Sequence, residues 1–244
     1  MLWLAAAFLV TALLYASVGY GGGSTYNALL ALSGVDYRLL PAIALACNIV
    51  VVTGGSVRFA RAGITPWRSA MTLTAIAAPA AFLGGLTPIG ERLFLTLLGA
   101  ALVLTALTLA IPTRERSGEP SRNARLLPFL AAPIGYLAGL VGIGGGIFLA
   151  PLLHLTRWNS ARAVAATASL FILVNSLFGL AGQLLKGGGD RIASAVTLGL
   201  PLLIAVAIGG QIGSLLAARL LPQSWIRWLT AALTAWVGAR LLLA

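Results

Sequence analysis

Gly19-Tyr20-Gly21-Gly22-Gly23 and Gly142-Ile143-Gly144-Gly145-Gly146 are two copies of one string, G-x-G-G-G, set 123 residues apart in a chain of 244. Each lies inside a long stretch without Asp, Glu, Lys or Arg, residues 1–35 and 126–156. As one helix, the 35 residues of the first stretch would reach about 52 Å, well beyond the ~30 Å of a bilayer's hydrocarbon. Two full crossings need about 40 residues, so both stretches are also too short for that. Glycine resolves the mismatch. A triplet of glycines costs a helix interior about 1 kcal/mol per residue, and it permits positive φ and a tight reversal. Each stretch is therefore expected to start as a helix, break at the glycines, fold back and restart as a short helix.

The rest of the chain repeats around these two strings. Further charge-free stretches run 39–57, 69–90, 93–113, 163–185 and 192–218, and a last apolar segment at about 220–244 is interrupted only by Arg227 and Arg240. Six single-span segments thus accompany the two broken ones. Arg38 aligns with Arg162 and Gly55 with Gly179 at a spacing of 124, and Gly84-Gly85 with Gly209-Gly210 at 125. The expected organisation is a first transmembrane repeat over 1–111, a charged cytoplasmic linker over 112–125 and a second repeat over 126–244. The fold class is all-α and polytopic in a membrane, with about four helical elements per repeat. If the opening helices fold back, the repeats are inverted, because three crossings follow in each half. That topology puts eleven of the sixteen basic residues on the cytoplasmic side with both termini outside, against ten for the parallel alternative. Basic residues therefore do not decide between them, and segment length favours inversion.

Composition excludes most other classes. The chain is 59% hydrophobic and 9% charged, with a mean hydropathy of +0.99, where a soluble domain carries about 25% charged residues. A soluble enzyme, a disordered tail and a secreted disulfide module are excluded, and Cys47 alone cannot form an internal disulfide or a thiolate metal site. The net charge of +11 comes from short breaks between apolar runs, not from a basic stripe. It reads as loop and headgroup charge rather than nucleic-acid binding. Residues 1–18 lack a positive n-region and continue uncharged to Val35, so the expectation is a retained membrane segment.

The chemistry expected at the breaks follows from backbone polarity. Broken backbone at membrane depth is tolerated only beside protein or a watery cavity, and matched breaks in two halves point to a transporter's binding site. A helix restarting after the break presents N–H groups with no internal acceptor, and their partial positive charge suits an anion. Gly21, Gly22, Gly23, Gly144, Gly145 and Gly146 are the expected backbone donors. Ser24 and Thr25 are placed to cap that helix or to donate hydroxyls, with Asn27 one turn inward; the second copy has Ile147 and Phe148 instead. Polar residues recur in equivalent apolar segments, namely Asn48, Thr53 and Ser56, then Thr167, Ser169, Asn175 and Ser176. Asn48, Ser169 and Asn175 are expected to line the route. Gln183 and Gln211, nearer segment ends, are weaker candidates. Close helix packing by glycine and ordinary interhelical hydrogen bonds remain the alternative explanation.

All five acids fall at breaks or in the linker, so no mid-span carboxylate offers a proton relay or cation site. No paired-carboxylate centre, H-E-x-x-H, P-loop or nucleophile elbow occurs, so no enzyme, cofactor or metal is expected. His154 reads as interfacial and Cys47 as packing. Trp67, Trp158, Trp225 and Trp228 lie near arginine-bearing breaks as headgroup anchors.

Duplicated halves, each opening with an apolar segment and a G-x-G-G-G string, resemble the sulfite exporter TauE/SafE family, also grouped as toluene-sulfonate uptake permeases. The most specific piece is Gly139-Leu140-Val141-Gly142-Ile143-Gly144-Gly145-Gly146, continuing to Pro151-Leu152-Leu153; Ser17-Val18-Gly19-Tyr20-Gly21-Gly22-Gly23 fits more loosely. The resemblance covers essentially the whole chain. It implies a permease that moves a small sulfur-containing or organic anion, such as sulfite, a sulfonate or sulfoacetate, across the inner membrane. The polar run from Tyr20 to Asn27 departs from the pattern and leaves the substrate open. A passive channel for small anions or neutral solutes is the alternative.

Overall fold

The computed structural model describes residues 2–18, 21–110, 126–216 and 223–243; the linker at 112–125 and Gly19-Tyr20 lie outside them. Among the described residues the regular elements are all helices: α1 (Leu2–Val18), α2 (Gly23–Leu32), α3 (Leu40–Arg61), α4 (Trp67–Leu86), α5 (Glu91–Ala110), α6 (Leu127–Val141), α7 (Gly146–Leu155), α8 (Ala161–Leu216) and α9 (Gln223–Leu243). α8 is two helices joined at Gly188, whose φ of 68° and ψ of 168° are non-helical. It separates an arm over 161–187 from one over 189–216. Gly63, in the turn between α3 and α4, has the same left-handed φ, 66°, and precedes Gly188 by 125 residues. The two arms are thus the counterparts of α3 and α4.

The short helices after the breaks correspond just as closely. α2 and α7 are each 10 residues long and begin 123 residues apart. Each stops at a left-handed residue, Gly34 (φ 70°) and Arg157 (φ 49°). The next N–H closes the helix with a six-to-one bond, Val35 to the Leu30 carbonyl at 3.3 Å and Trp158 to the Leu153 carbonyl at 3.0 Å. Gly34 adopts this cap without steric cost, whereas a side chain there costs about 1–2 kcal/mol. At Arg157 the cation sits on the negative end of α7, which offsets part of that.

Both short helices turn back on their partners. Phe8 and Tyr26 stack with ring centroids 4.7 Å apart, although 18 residues of continuous helix would separate them by about 27 Å. Leu127, Ile134, Leu149 and Leu153 share one buried cluster across α6 and α7. The folding back expected from segment length is present in both halves.

Packing interleaves the halves. α1 lies along the 189–216 arm, where Gly209 and Gly213 meet the Leu9 and Leu13 carbonyls; α4 lies along α6, where Gly135 and Gly139 meet the Ala77 and Ala81 carbonyls. Residue numbers rise together in both pairs, so each pair runs parallel. Since α1 corresponds to α6 and the 189–216 arm to α4, one pairing is made twice. Two of the remaining large contacts join counterparts directly, while α4 also packs along the 161–187 arm, where Gly85 meets the Gly179 carbonyl and Gly182 the Phe82 carbonyl. α3 meets the 161–187 arm antiparallel, from Ser56 against Ser169 (2.9 Å) to Leu45 against Gly179. α5 meets α9, where Gly99 faces Gly238 and Leu242 while Val103 faces Gly238, again antiparallel.

Leu40–Arg61, Trp67–Leu86, Glu91–Ala110 and Ala161–Gly213 are long and apolar enough to cross a membrane. Leu104, Leu107, Phe129 and Ile204 are half or more exposed on the outside of the bundle, an outward apolar face that suits lipid. This is the architecture of an all-helical polytopic membrane protein. Trp67 and Trp228 are both about half exposed, at 50% and 56%. Thr53 turns outward, its hydroxyl bonded to the Ile49 carbonyl at 2.5 Å, because five residues from Asn48 carry it off the buried face of α3.

Candidate functional site

The second break is built from left-handed glycines. Gly142 (φ 81°) ends α6, with its own N–H and that of Ile143 bonded to the Ala138 carbonyl at 2.9 and 3.1 Å. Gly144 (φ 80°) and Gly145 (φ 81°) then redirect the chain into α7. Interrupting a helix strands its last carbonyls. Here five successive carbonyls find side-chain amides from three other helices. Gln183 Nε2 donates to Gly139 O at 3.0 Å and Leu140 O at 3.4 Å. Asn27 Nδ2 donates to Val141 O at 3.0 Å and Gly142 O at 3.1 Å. Asn48 Nδ2 donates to Ile143 O at 3.2 Å. Gln183 is the residue whose importance sequence position hides: it sits near a segment end, and its signal is the small-residue ridge of Gly179 and Gly182 beside it.

The first break uses its glycines differently. Gly22 has φ −91°, ψ 18°, and none of Gly21, Gly22 and Gly23 has a positive φ. The expectation that this triplet supplies φ freedom is therefore corrected; its glycines supply room. A Cβ on Gly23 would overlap Asn48 Nδ2 and lie 2.6 Å from the Ile143 carbonyl oxygen. One on Gly21 would lie 2.7 Å from Asn48 Oδ1, and one on Gly144 2.8 Å from Asn48 Nδ2 and 3.0 Å from Ser176 Oγ. The two breaks thus meet around Asn48.

The expected side chains have distinct fates. Gly22, which has no side chain, is the N-cap of α2, so Ser24 and Thr25 do not cap it. Thr25 Oγ1 shares a hydrogen bond with the Tyr15 hydroxyl at 2.9 Å, while Ser24 Oγ is buried without a partner. The oxygens of Asn27 and Asn48, both amide atoms of Asn175, Thr167 Oγ1 and Ser176 Oγ are likewise buried and unpartnered. Ser169 clasps α3 instead, through Ser56 and the Val52 carbonyl at 3.4 Å. Gly146, at the start of α7, packs against Ile172. The structure therefore joins Gly21, Gly23, Ser176, Asn27, Asn48 and Gly144 into one neighbourhood, with Ser169 on the same helix seam but engaged elsewhere. Among the described residues no group of His, Cys, Asp and Glu is arranged to hold a metal.

What this arrangement can do depends on which helix ends stay open. The carbonyl end of α6 is saturated by amides. The amino ends of α2 and α7 begin at glycine N-caps without side-chain caps, so their first N–H groups have no acceptor inside the helix.

The family model for the sulfite exporter TauE/SafE matches residues 4–241, nearly the whole chain. The chain belongs to this family. It is similar to a probable membrane transporter protein of Sinorhizobium fredii, 36% identical over 98% of this chain and 97% of that one. It is also similar to one of Methanocaldococcus jannaschii, 26% identical over 78% and 74%, and one of Xylella fastidiosa, 28% identical over 82% and 78%. No solved structure is a significant match. The TauE/SafE chain is accordingly a membrane-embedded transporter and not an enzyme.

Proposed function

We propose that this transporter moves a small sulfur-containing or organic anion, of the class of sulfite, sulfonates and sulfoacetate, by alternating access across a bacterial-type inner membrane. The observation that carries the reading is the unequal treatment of helix ends at the breaks. Carbonyls from Gly139 to Ile143 are taken up by Gln183, Asn27 and Asn48, while α2 and α7 start uncapped by side chains. Backbone carbonyls masked in this way beside open N–H donors favour negative charge. Gly21–Gly23 and Gly144–Gly146 supply the backbone donors, helped by the hydroxyls of Ser24 and Thr25, while Asn27 contributes by holding the Val141 and Gly142 carbonyls, with Asn48, Ser169 and Asn175 along the route. Micromolar to millimolar affinity, about 4–8 kcal/mol, suits an ion that must leave again.

Burial favours a gated carrier over a standing pore. Ser24 is 1% exposed and Asn27, Asn48 and Asn175 are 0% exposed, whereas a permanently open channel keeps its polar lining wet. The antiparallel contact of α3 with its counterpart arm, and of α5 with α9, supports inverted repeats about an axis in the membrane plane. Both termini then lie outside, which cysteine labelling in a Cys47→Ser background tests; a cytoplasmic C-terminus overturns the inversion. The function is tested by flux of sulfite, thiosulfate, sulfonates and sulfoacetate in proteoliposomes. Saturable uptake with trans-stimulated exchange is expected for at least one of them. Non-saturating flux without exchange would favour a channel, and well-folded Gly145→Val protein with normal flux would move the site away from the breaks.

A further inference from the structure

A second polar feature adjoins the second break through Leu140 and Gln183. Tyr37 and Arg38 before α3, Pro41 in its first turn, Pro88 and Ile89 from the α4–α5 connection, Phe94 in α5, and Gln183, Lys186 and Arg191 around the kink of α8 enclose a cavity of about 210 Å³. One water needs about 10–15 Å³ of such space, so a small oxyanion fits with part of its hydration shell. Arg38, Lys186 and Arg191 contribute three cations to the wall, and no carboxylate lines it. Lys186 Nζ uses one donor on the Thr87 carbonyl at 3.2 Å and has two more to give. Arg38 Nε donates to the Tyr37 hydroxyl at 3.2 Å, leaving the ends of its guanidinium fork. None of the neighbouring acids, Asp36, Glu91 and Asp190, is among the lining residues, and Asp36 Oδ1 accepts the Arg38 backbone N–H at 3.0 Å.

The inner wall of this cavity is the break itself. Gln183, which lines it, holds the Gly139 and Leu140 carbonyls; Leu140 lines it too; and Pro41, on the opposite wall, packs against Gly142. Three fixed cations in a concave, partly apolar mouth raise the local concentration of anions, the more so for a double charge. We propose that Arg38, Lys186 and Arg191 form an oxyanion-binding antechamber, selective for dianions over monoanions, through which the transported ion reaches the glycine breaks. As the substrate's entrance this rests on the anion reading above; as a binding site it does not. A sulfate-like free ion and the phosphate of a lipid headgroup share the chemistry recognised here, and the commitment is to the free ion.

The test uses the full chain in nanodiscs of zwitterionic lipid, with radiolabelled sulfate and sulfite as probes, and the same protein in proteoliposomes for flux. In the Gly145→Val background, which blocks the break, anion binding should persist. Adding Arg38→Gln and Arg191→Gln should weaken it about tenfold and flatten its salt dependence. In the otherwise wild-type chain the same pair should raise KM for a dianion about tenfold and leave the maximal rate within about twofold, while Arg38→Lys with Arg191→Lys should restore most of the loss. Both arginines are exposed, and gel filtration checks that the variants stay monodisperse. Unchanged binding and KM in the glutamine pair overturn the antechamber while leaving the breaks standing. Normal flux in Gly145→Val overturns the break reading while leaving the antechamber standing. Competition by anionic lipid that abolishes sulfate binding identifies a headgroup site and overturns the proposal.

Discussion

The two glycine breaks share a string but not a reason for it. At 142–145 the backbone itself demands glycine, since Gly142, Gly144 and Gly145 all have φ near +80°. At 21–23 the described backbone is ordinary, and what demands glycine is the Asn48 amide and the Ile143 carbonyl pressed against it. The halves also divide the polar labour. The second break exposes carbonyls, and Asn27 and Asn48 of the first half cross over to satisfy them. Positions equivalent by spacing, Ala150 and Ile172, have nothing comparable to offer. The two copies of the string are thus complementary, one shaped by conformation and the other by proximity.

The sharpest way to break that comparison is Gly23→Ala. Its Cβ would meet backbone at Ile143, which has no side-chain freedom to yield, as well as the Asn48 amide. Overpacking of this kind costs about 1–3 kcal/mol, and it pushes apart the two breaks that Asn48 joins. Flux in proteoliposomes should be lost, with a lower thermal midpoint in detergent. Normal flux would mean that the breaks separate without consequence.

Next comes a matched pair, Gly145→Val and Gly22→Ala. At Gly145 any side chain meets a left-handed φ, costing about 1–2 kcal/mol, and the Cβ adds contacts of 2.9 Å to Phe171 and 3.1 Å to Ala138. At Gly22 the φ is allowed, and the close atoms are side chains rather than backbone, the Tyr26 ring at 2.8 Å and the Thr11 methyl at 3.0 Å. Gly145→Val should abolish flux with insertion retained, whereas Gly22→Ala should keep most of it. Equal losses at the two sites would erase the distinction drawn between conformation and proximity.

How much of this is legible in the sequence depends on whether spacing or partnership carries the information. Spacing reveals the broken helices and the polar positions on α3 and α8, because charge-free length and glycine placement are local. It does not reveal that Gly22 and Gly145 differ, since the same G-G-G satisfies either need. Nor does it single out Gln183, whose partners at Gly139 and Leu140 lie 44 and 43 residues away. Thr25 reads from position as a cap, and its engagement with Tyr15 depends on α2 folding back onto α1. The break at Gly188 is legible too, because Gly187-Gly188-Gly189 sits with Lys186, Asp190 and Arg191 between two charge-free stretches; what spacing does not show is that helix runs up to Gly188 from both sides.

Asn48 sharpens the comparison from the side of the amides. Replacing it by Leu leaves the Ile143 carbonyl buried without a donor, which costs about 1–3 kcal/mol. Replacing it by Asp removes the same donor and adds negative charge where the proposed ligand is negative. Both variants should lose stability, and Asp should lose more transport than Leu at matched expression. Thermal unfolding in detergent beside initial flux rates separates the two contributions. If Asp and Leu transport alike, charge at this point is irrelevant and the anion reading of the breaks is weakened.

Ser24→Ala is the mildest test and the most specific to the ligand. Ser24 is 1% exposed, and its Oγ has no partner, so removing it breaks no hydrogen bond. If the hydroxyl were only a packing group, its loss would be neutral or slightly stabilising, because replacing an unsatisfied buried polar atom relieves its desolvation. If instead it completes its hydrogen bonding on the transported ion, stability should hold or rise while KM increases. A neutral hydrogen bond contributes about 0.5–1.5 kcal/mol net, which corresponds to roughly a two- to twelvefold rise in KM. The backbone donors of α2 remain, so the maximal rate should change little. Unfolding temperature and KM must therefore move in opposite senses of benefit: steadier protein, weaker capture. A variant that is both as stable and as tight as the parent would show that the Ser24 hydroxyl faces no ligand, leaving recognition in the first half to backbone N–H groups.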